Sequence, residues 1–320
     1  MADDSGIVFE MVSHEVCDVG KPGSGEPADA AWPLRDFGIL AVRKKYGATG
    51  AGVKIAVVDT GVCSAHPFFG GRVIAHDCTG ESPEDDNGHG THCCGIVAGV
   101  APGAEIHSYK VFGKSGQAVH GNILAALAEI KREGFHIVNM SLGSGQPSHS
   151  MRMALLELNA RGVLICCAAG NEGDHERASA PRFGTVSFPA EFNSTVAVGS
   201  VDRRRARSAF SSSGPKICIM APGEGVWSCW KGGAQACLSG TSMASPFMAG
   251  VLALAREICL SRGLRPLNLS EFLYAAALSC TDMESPGFDF FTGDGCIDPV
   301  GFVARALEIA GGSKAARLGR

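Results

Sequence analysis

The sequence predicts an α/β fold, a single domain on a doubly wound, mostly parallel sheet flanked by helices. Three observations carry that prediction. Apolar, β-branched runs of strand length recur, and such continuous runs belong to strands buried on both faces. Helical patterns alternate with them, and βαβα alternation implies parallel pairing with helices on both sides. The composition suits a large core: 320 residues, 45% hydrophobic, with 43 glycines for tight turns.

The elements follow in chain order. Residues 1–34 are rich in Gly, Pro, Asp and Glu, with one short apolar patch at residues 7–12. They read as a loosely structured or disordered extension. The functional alternative is a segment that lies across whatever site the domain carries and blocks it until cut, its apolar patch adding as a strand to an exposed edge. The main folded domain is expected to span 35–311. Residues 36–46 have helical spacing and end at Gly47. Residues 53–61 form a β-branched run closed by Asp59-Thr60-Gly61, which places Asp59 at the carboxyl end of a buried strand. A short helix follows His89. Strands are expected at 106–112, 136–142, 163–169, 195–201, 217–220 and 226–230. Helices are expected at 119–131, where Ile123, Leu124, Leu127 and Ile130 share a face, and at 150–160, 242–260, 270–277 and 299–310. Residues 312–320 read as a flexible basic tail.

Charge and cysteine content narrow the function. The net charge of −4 gives no reason to expect nucleic acid or an anionic membrane as partner. No apolar run reaches the roughly 18–20 residues of a transmembrane helix. The acidic N-terminus shows no signal peptide. The 13 cysteines include buried-looking pairs, Cys93-Cys94 and Cys166-Cys167, with no zinc or redox spacing. They read as reduced thiols, and the expected location is the cytoplasm. The oligomeric state is left open.

Four positions carry the chemistry. Ser242 sits where a glycine-rich loop turns into a long apolar helix, so unpaired N–H groups surround its hydroxyl. Such a serine can attack a carbonyl while nearby amides hold the oxyanion. Taken alone it would be an ordinary helix cap. His89 lies between two glycines, which clear space around its ring. His92 adds no metal site, because a third ligand is wanting and Asp85 and Asp86 read as solvated loop residues. Asn171 follows a strand, between Gly170 and Glu172; without its companions it would be a turn residue. The chain order Asp59, His89, Ser242 is that of the subtilisin type.

Asp59-Thr60-Gly61, His89-Gly90-Thr91-His92, Ala168-Ala169-Gly170-Asn171 and Gly240-Thr241-Ser242-Met243-Ala244-Ser245-Pro246 resemble the signature blocks of subtilisin-like serine proteases. The resemblance covers residues 36–310, and four blocks in order are far more specific than any one of them. It implies a serine endopeptidase of broad preference: Ser242 as nucleophile, His89 as base and acid, Asp59 holding the histidine tautomer, and Asn171 as side-chain donor to the oxyanion. It implies that peptide adds as a strand between two edges, residues 114–117 (with Ser115 and Gly116) and Ser141-Leu142-Gly143. Ala168, Ala169 and Gly170 would wall a roomy apolar pocket with Ser141 to Gly143, with Glu172 at its rim. Phe188-Pro189 resembles a position where the proline is often cis. Cys93 matches the cysteine of proteinase K-like enzymes, implying a thiol beneath the triad and inhibition by mercurials. The run Gly170 to Asp174 resembles that of intracellular subtilisins.

Departures from the family pattern matter as well. The calcium-holding loop of many bacterial subtilisins is missing, since residues 97–102 run straight on. No cofactor is required, no metal ligand is assigned, and only a weak cation site near Asp202 remains open. Two other functions compete: a precursor-specific maturation protease or peptide macrocyclase on the same fold, and a catalytically inactive subtilase-fold binding module. The intact four positions weigh against the second.

Overall fold

The computed structural model describes residues 4, 6–11, 15–20, 29–174 and 184–318, with residues 313–318 as backbone only. Val12, at the end of the apolar patch, and residues 319–320 of the basic tail lie outside the described residues. The chain opens with two strands, β1 (Val8–Met11) and β2 (Glu15–Val19), then helices α1 (Trp32–Asp36) and α2 (Ile39–Tyr46). Next come β3 (Lys54–Asp59), β4 (Val73–Asp77), α3 (His89–Val100), β5 (Glu105–Lys110), β6 (Gln117–Val119) and α4 (His120–Glu133). The middle holds β7 (Ile137–Met140), β8 (Leu142–Gly143), α5 (His149–Ala160) and β9 (Leu164–Ala168). The last third holds β10 (Val196–Val201), β11 (Ile217–Pro222), β12 (Val226–Cys229), β13 (Gln235–Ser239), α6 (Thr241–Ser261), α7 (Leu269–Ala277) and α8 (Pro299–Leu318).

Seven strands form the central sheet in the order β11-β10-β9-β7-β3-β5-β4, and every neighbouring pair is parallel. Both faces are covered, as the apolar runs require. Ile55 and Val57 of β3 face one core layer, shared with α3 and α6, while Ala56 and Val58 face another, shared with α4 and α5. The two central helices approach closely: a Cβ on Gly250 of α6 would lie 2.6 Å from the Cβ of Val100 at the end of α3. Among the described residues α6 is long and apolar enough to cross a membrane, but it is buried through the core.

Several boundaries differ from the sequence reading. Trp32 and Pro33 are buried, and the Trp32 indole donates to the Gly225 carbonyl at 3.1 Å, so the packed body begins ahead of residue 35. Helix α8 runs through Gly311 to Leu318, past the expected stop at 310. Strands β4 and β13 had no clear pattern in the sequence. β4 is a sheet edge, with burial only at Val73, and β13 belongs to a small antiparallel sheet, β12-β13-β2.

The two edges flanking the cleft are β6 and β8, and β1 lies between them as the middle strand of a second antiparallel sheet. Its register sets Val8, Phe9 and Glu10 against Val119, Ala118 and Gln117. On the other side Glu10 and Met11 face Gly143 and Leu142. Phe9 is fully buried.

Candidate active site

Asp59 ends β3 at the carboxyl edge of the sheet, between β5 and β7. His89 opens α3. The His89 Nδ1 lies 2.7 Å from the Asp59 Oδ1, and both side chains are wholly buried. A carboxylate can only accept, so Nδ1 carries the proton and Nε2 of the neutral ring is left basic. Burial pulls the imidazole down, but the charge and hydrogen bond of Asp59 outweigh it, and the ring titrates above its usual range. The Thr60 amide donates 2.8 Å to the same Asp59 oxygen.

The loop before His89 is organised by Asp85, and here the structure corrects the sequence reading. Asp85 is buried, not solvated. It accepts from the Thr60 hydroxyl at 2.9 Å, the amides of Asn87 and Gly88 at 3.0 and 2.8 Å, and the Thr91 amide and hydroxyl at 2.9 and 2.6 Å. Burial pushes its carboxyl up against the pull of those bonds. Asp86 beside it is exposed, as expected, and pairs with the buried Lys110 at 2.8 Å. The glycines flanking His89 serve backbone approach more than space around the ring. Gly88 has φ 113° and a Cβ there would meet the Trp230 ring, while a Cβ on Gly90 would lie 2.2 Å from the Gly61 carbonyl. His92 is structural, with Nε2 3.1 Å from both the Val226 and Ala236 carbonyls.

Ser242 is the second residue of α6. Pro246 sits four residues on, and proline has no N–H for the helical bond to the Ser242 carbonyl. That carbonyl is satisfied from outside the helix: Ser141 Oγ donates at 3.0 Å and Cys93 Sγ at 3.4 Å. Asn139 of β7 donates 3.0 Å to the Ser141 hydroxyl and accepts from the Ser245 hydroxyl. The sequence reading missed Asn139 altogether; a polar residue inside a buried strand run was the available signal. The Ser242 hydroxyl lies 3.3 Å from the Ser141 carbonyl. Cys93 lies beneath the pair, 4.0 Å from His89 Nδ1, and burial raises its thiol well above the usual range. Asn171 is anchored by its carbonyl oxygen, which accepts from the Thr241 amide and hydroxyl, both at 2.9 Å. That orientation turns its Nδ2 donor away from Thr241.

Among the described residues a cavity of about 550 Å³ lies beside Asn171, walled by Gly143 to Gly145, Gly170 to Glu172, Gly184 to Ser187 and, from β1, Val8, Glu10 and Met11. Gly143 and Gly170 line it, and Glu172 is exposed there. Ala168 and Ala169 are buried strand residues behind it. Leu142 and Gly143 form one paired edge, but the opposite edge begins at Gln117; Ser115 and Gly116 lie in the turn before it. The positive φ of 77° at Gly116 ends the turn and shifts the pairing edge later. The Phe188-Pro189 bond is cis. Near Asp202 the carboxylate accepts from the Arg204 and Ala206 amides, both at 2.8 Å.

A family model described as "Subtilase family" matches residues 50–295. The chain belongs to the subtilase family. Subtilisin Savinase from Lederbergia lenta is 41% identical over 221 residues, covering 66% of this chain and 78% of that protein. The M-protease of Shouchella clausii (strain KSM-K16) is also 41% identical over 66% of this chain, but the match spans little more than half of its length, 56%. An intracellular serine protease from Paenibacillus polymyxa is 36% identical over 249 residues, 72% of this chain and 74% of its own. The subtilase match takes in all four motif blocks.

Proposed function

We propose that this subtilase is a serine endopeptidase working through Asp59, His89 and Ser242. The buried Asp59–His89 hydrogen bond is the observation that carries the reading. His89 Nε2 takes the Ser242 proton as Oγ attacks the scissile carbonyl, and then delivers it to the leaving amine. Asp59 stabilises the imidazolium that forms between the two steps. The Ser242 amide and Asn171 Nδ2 donate to the oxyanion. Water then hydrolyses the acyl-enzyme by the same route in reverse. These steps draw on no cofactor.

The substrate is an extended peptide or protein segment, paired between β6 and β8. The cavity walled by Gly143, Gly170 and Thr185 supports a roomy pocket for a substrate side chain, with Glu172 at the rim tolerating a basic one. Strand β1 occupies the path such a peptide would follow, which supports an extension that holds the enzyme inactive until it is displaced or cut. A cytoplasmic location is supported by the wealth of cysteines with no disulfide among the described residues and by similarity to a relative named as intracellular.

A peptide library digested by the purified protein, beside Ser242→Ala, tests the reading. The substitution should cut turnover by about 10⁶-fold, the scale set by subtilisin's own nucleophile. Equal cleavage by both proteins would remove Ser242 from the mechanism, and joined or cyclic products would point to a transpeptidase.

A further inference from the structure

The chain's grip on its own N-terminus extends beyond the cleft. Helix α5 begins with the cap Ser148, whose hydroxyl accepts from the Met151 amide at 3.0 Å. The first two amides of the helix, on His149 and Ser150, have no partner inside it, as at any helix start. Both bind the carboxylate of Asp4, at 3.3 and 2.9 Å. The Ser148 hydroxyl, itself buried, adds a contact at 3.2 Å, and the Ser150 hydroxyl adds another. The Ser150 bonds, ahead of the rest, hold the Asp4 carboxyl well below the usual carboxylate range.

His120 joins this cluster to the cleft. It is buried at the start of α4. Its Nε2 lies 2.7 Å from the Ser148 hydroxyl, and its ring stacks on Phe9 with centroids 5.9 Å apart and planes 16° from parallel. One face of the imidazole thus seats the buried ring of β1, while its edge braces the hydroxyl that meets Asp4. A turn closed by the Ile7 amide on the Asp4 carbonyl, at 3.2 Å, brings the carboxylate round to the helix.

We infer that the N-terminus of α5 is a carboxylate subsite of the cleft, taking an acidic side chain five residues before a ring seated on His120. Its ligand is a peptide carboxylate, supplied by the chain's own Asp4 or by a peptide from outside. The inference rests on the reading of β1 as an inhibitory strand. It adds what fastens that strand: two amides, two hydroxyls and the dipole of a helix longer than three turns.

The test uses the full chain. In the Ser242→Ala background, hydrogen exchange at the His149 and Ser150 amides and along β1 should speed up several-fold on Asp4→Asn and stay near the parent rate on Asp4→Glu. Unchanged exchange in Asp4→Asn overturns the site, whatever the enzyme does. In the active protein, hydrolysis of a short chromogenic peptide should rise several-fold in Asp4→Asn and in Ser150→Ala, with little further gain when the two are combined. Phe9→Ala separates the two ideas. If it activates and Asp4→Asn does not, the inhibitory strand stands and the carboxylate subsite falls; if neither activates, the inhibitory reading itself falls.

The external source has its own arm. An acetylated peptide of residues 4–11 should inhibit the Phe9→Ala protein, whose own strand is loosened, and its Asp4→Asn form should bind about threefold to tenfold more weakly, within the range of a solvent-screened charged hydrogen bond. Equal inhibition by the two peptides would confine the site to the chain's own Asp4 and overturn the claim that it reads peptides from outside.

Discussion

The floor of the active site and the strand that covers it are held by different kinds of interaction. On the floor, Asp59 binds His89, Ser141 and Asn139 hold the Ser242 carbonyl, and the buried Asp85 ties together the loop before His89. In the cover, β1 is fixed by backbone pairing to two edges, by one enclosed ring, Phe9, and by the Asp4 carboxylate ahead of it on the start of α5. The continuation β2 is fixed still less, with all five residues exposed and one neighbouring strand. The floor therefore has one arrangement. The cover can be exchanged for another extended segment, because main-chain pairing is indifferent to sequence.

Four substitutions or titrations would sharpen or break the contrast. Asp59→Asn should lower kcat by about 10⁴-fold with the fold intact, since the wrong tautomer is then favoured; a loss within tenfold would mean the Asp59–His89 bond is only structural. Asn171→Ala should lower kcat by about 10²–10³-fold with little change in KM, the range that subtilisin's own donor shows; a change confined to KM would make Asn171 a binding residue. Phe9→Ala acts on the cover, and basal turnover of a short peptide should rise by about 10–100-fold from the lost burial of one aromatic ring. Unchanged turnover would mean that β1 does not compete with substrate.

The fourth effect is the smallest and concerns pH. His89 must be neutral to act, and Asp59 raises its folded pKa above the ordinary value of 6.5. The acid limb of kcat/KM should therefore have its midpoint above 6.5, and the residual activity of Asp59→Asn should titrate lower. The stability counterpart has the opposite sense. The charged His89–Asp59 pair stabilises the fold below the unfolded histidine's midpoint and loses that contribution as pH rises through the raised one. A profile with its midpoint below that of a free histidine would sink the account of the pair.

The floor was the legible part of the sequence. Asp59 follows a β-branched run and Ser242 precedes an apolar one, so each motif marks the end of a regular element. Asp85 was misread because an Asp-Asp-Asn-Gly loop is usually solvated. What reverses the expectation is tertiary: the hydroxyls of Thr60 and Thr91 close over the carboxylate. Strand β1 could be raised only as an alternative, because four residues of mixed polarity acquire a partner edge only after β6 and β8 have folded. The edge expected at residues 114–117 meets β6 only at Gln117, because the left-handed Gly116 closes a turn before it, which local pattern does not reveal.

The proline in α6 has a consequence for motion. The first turn of a helix normally opens and closes on its own, since its end groups are the least protected part of the element. Here the carbonyl of the attacking residue is fastened to a strand in the middle of the sheet, through Ser141 and Asn139. Fraying at the start of α6 would have to drag that strand along. The backbone of Ser242 therefore keeps the sheet's slow clock rather than that of a helix end.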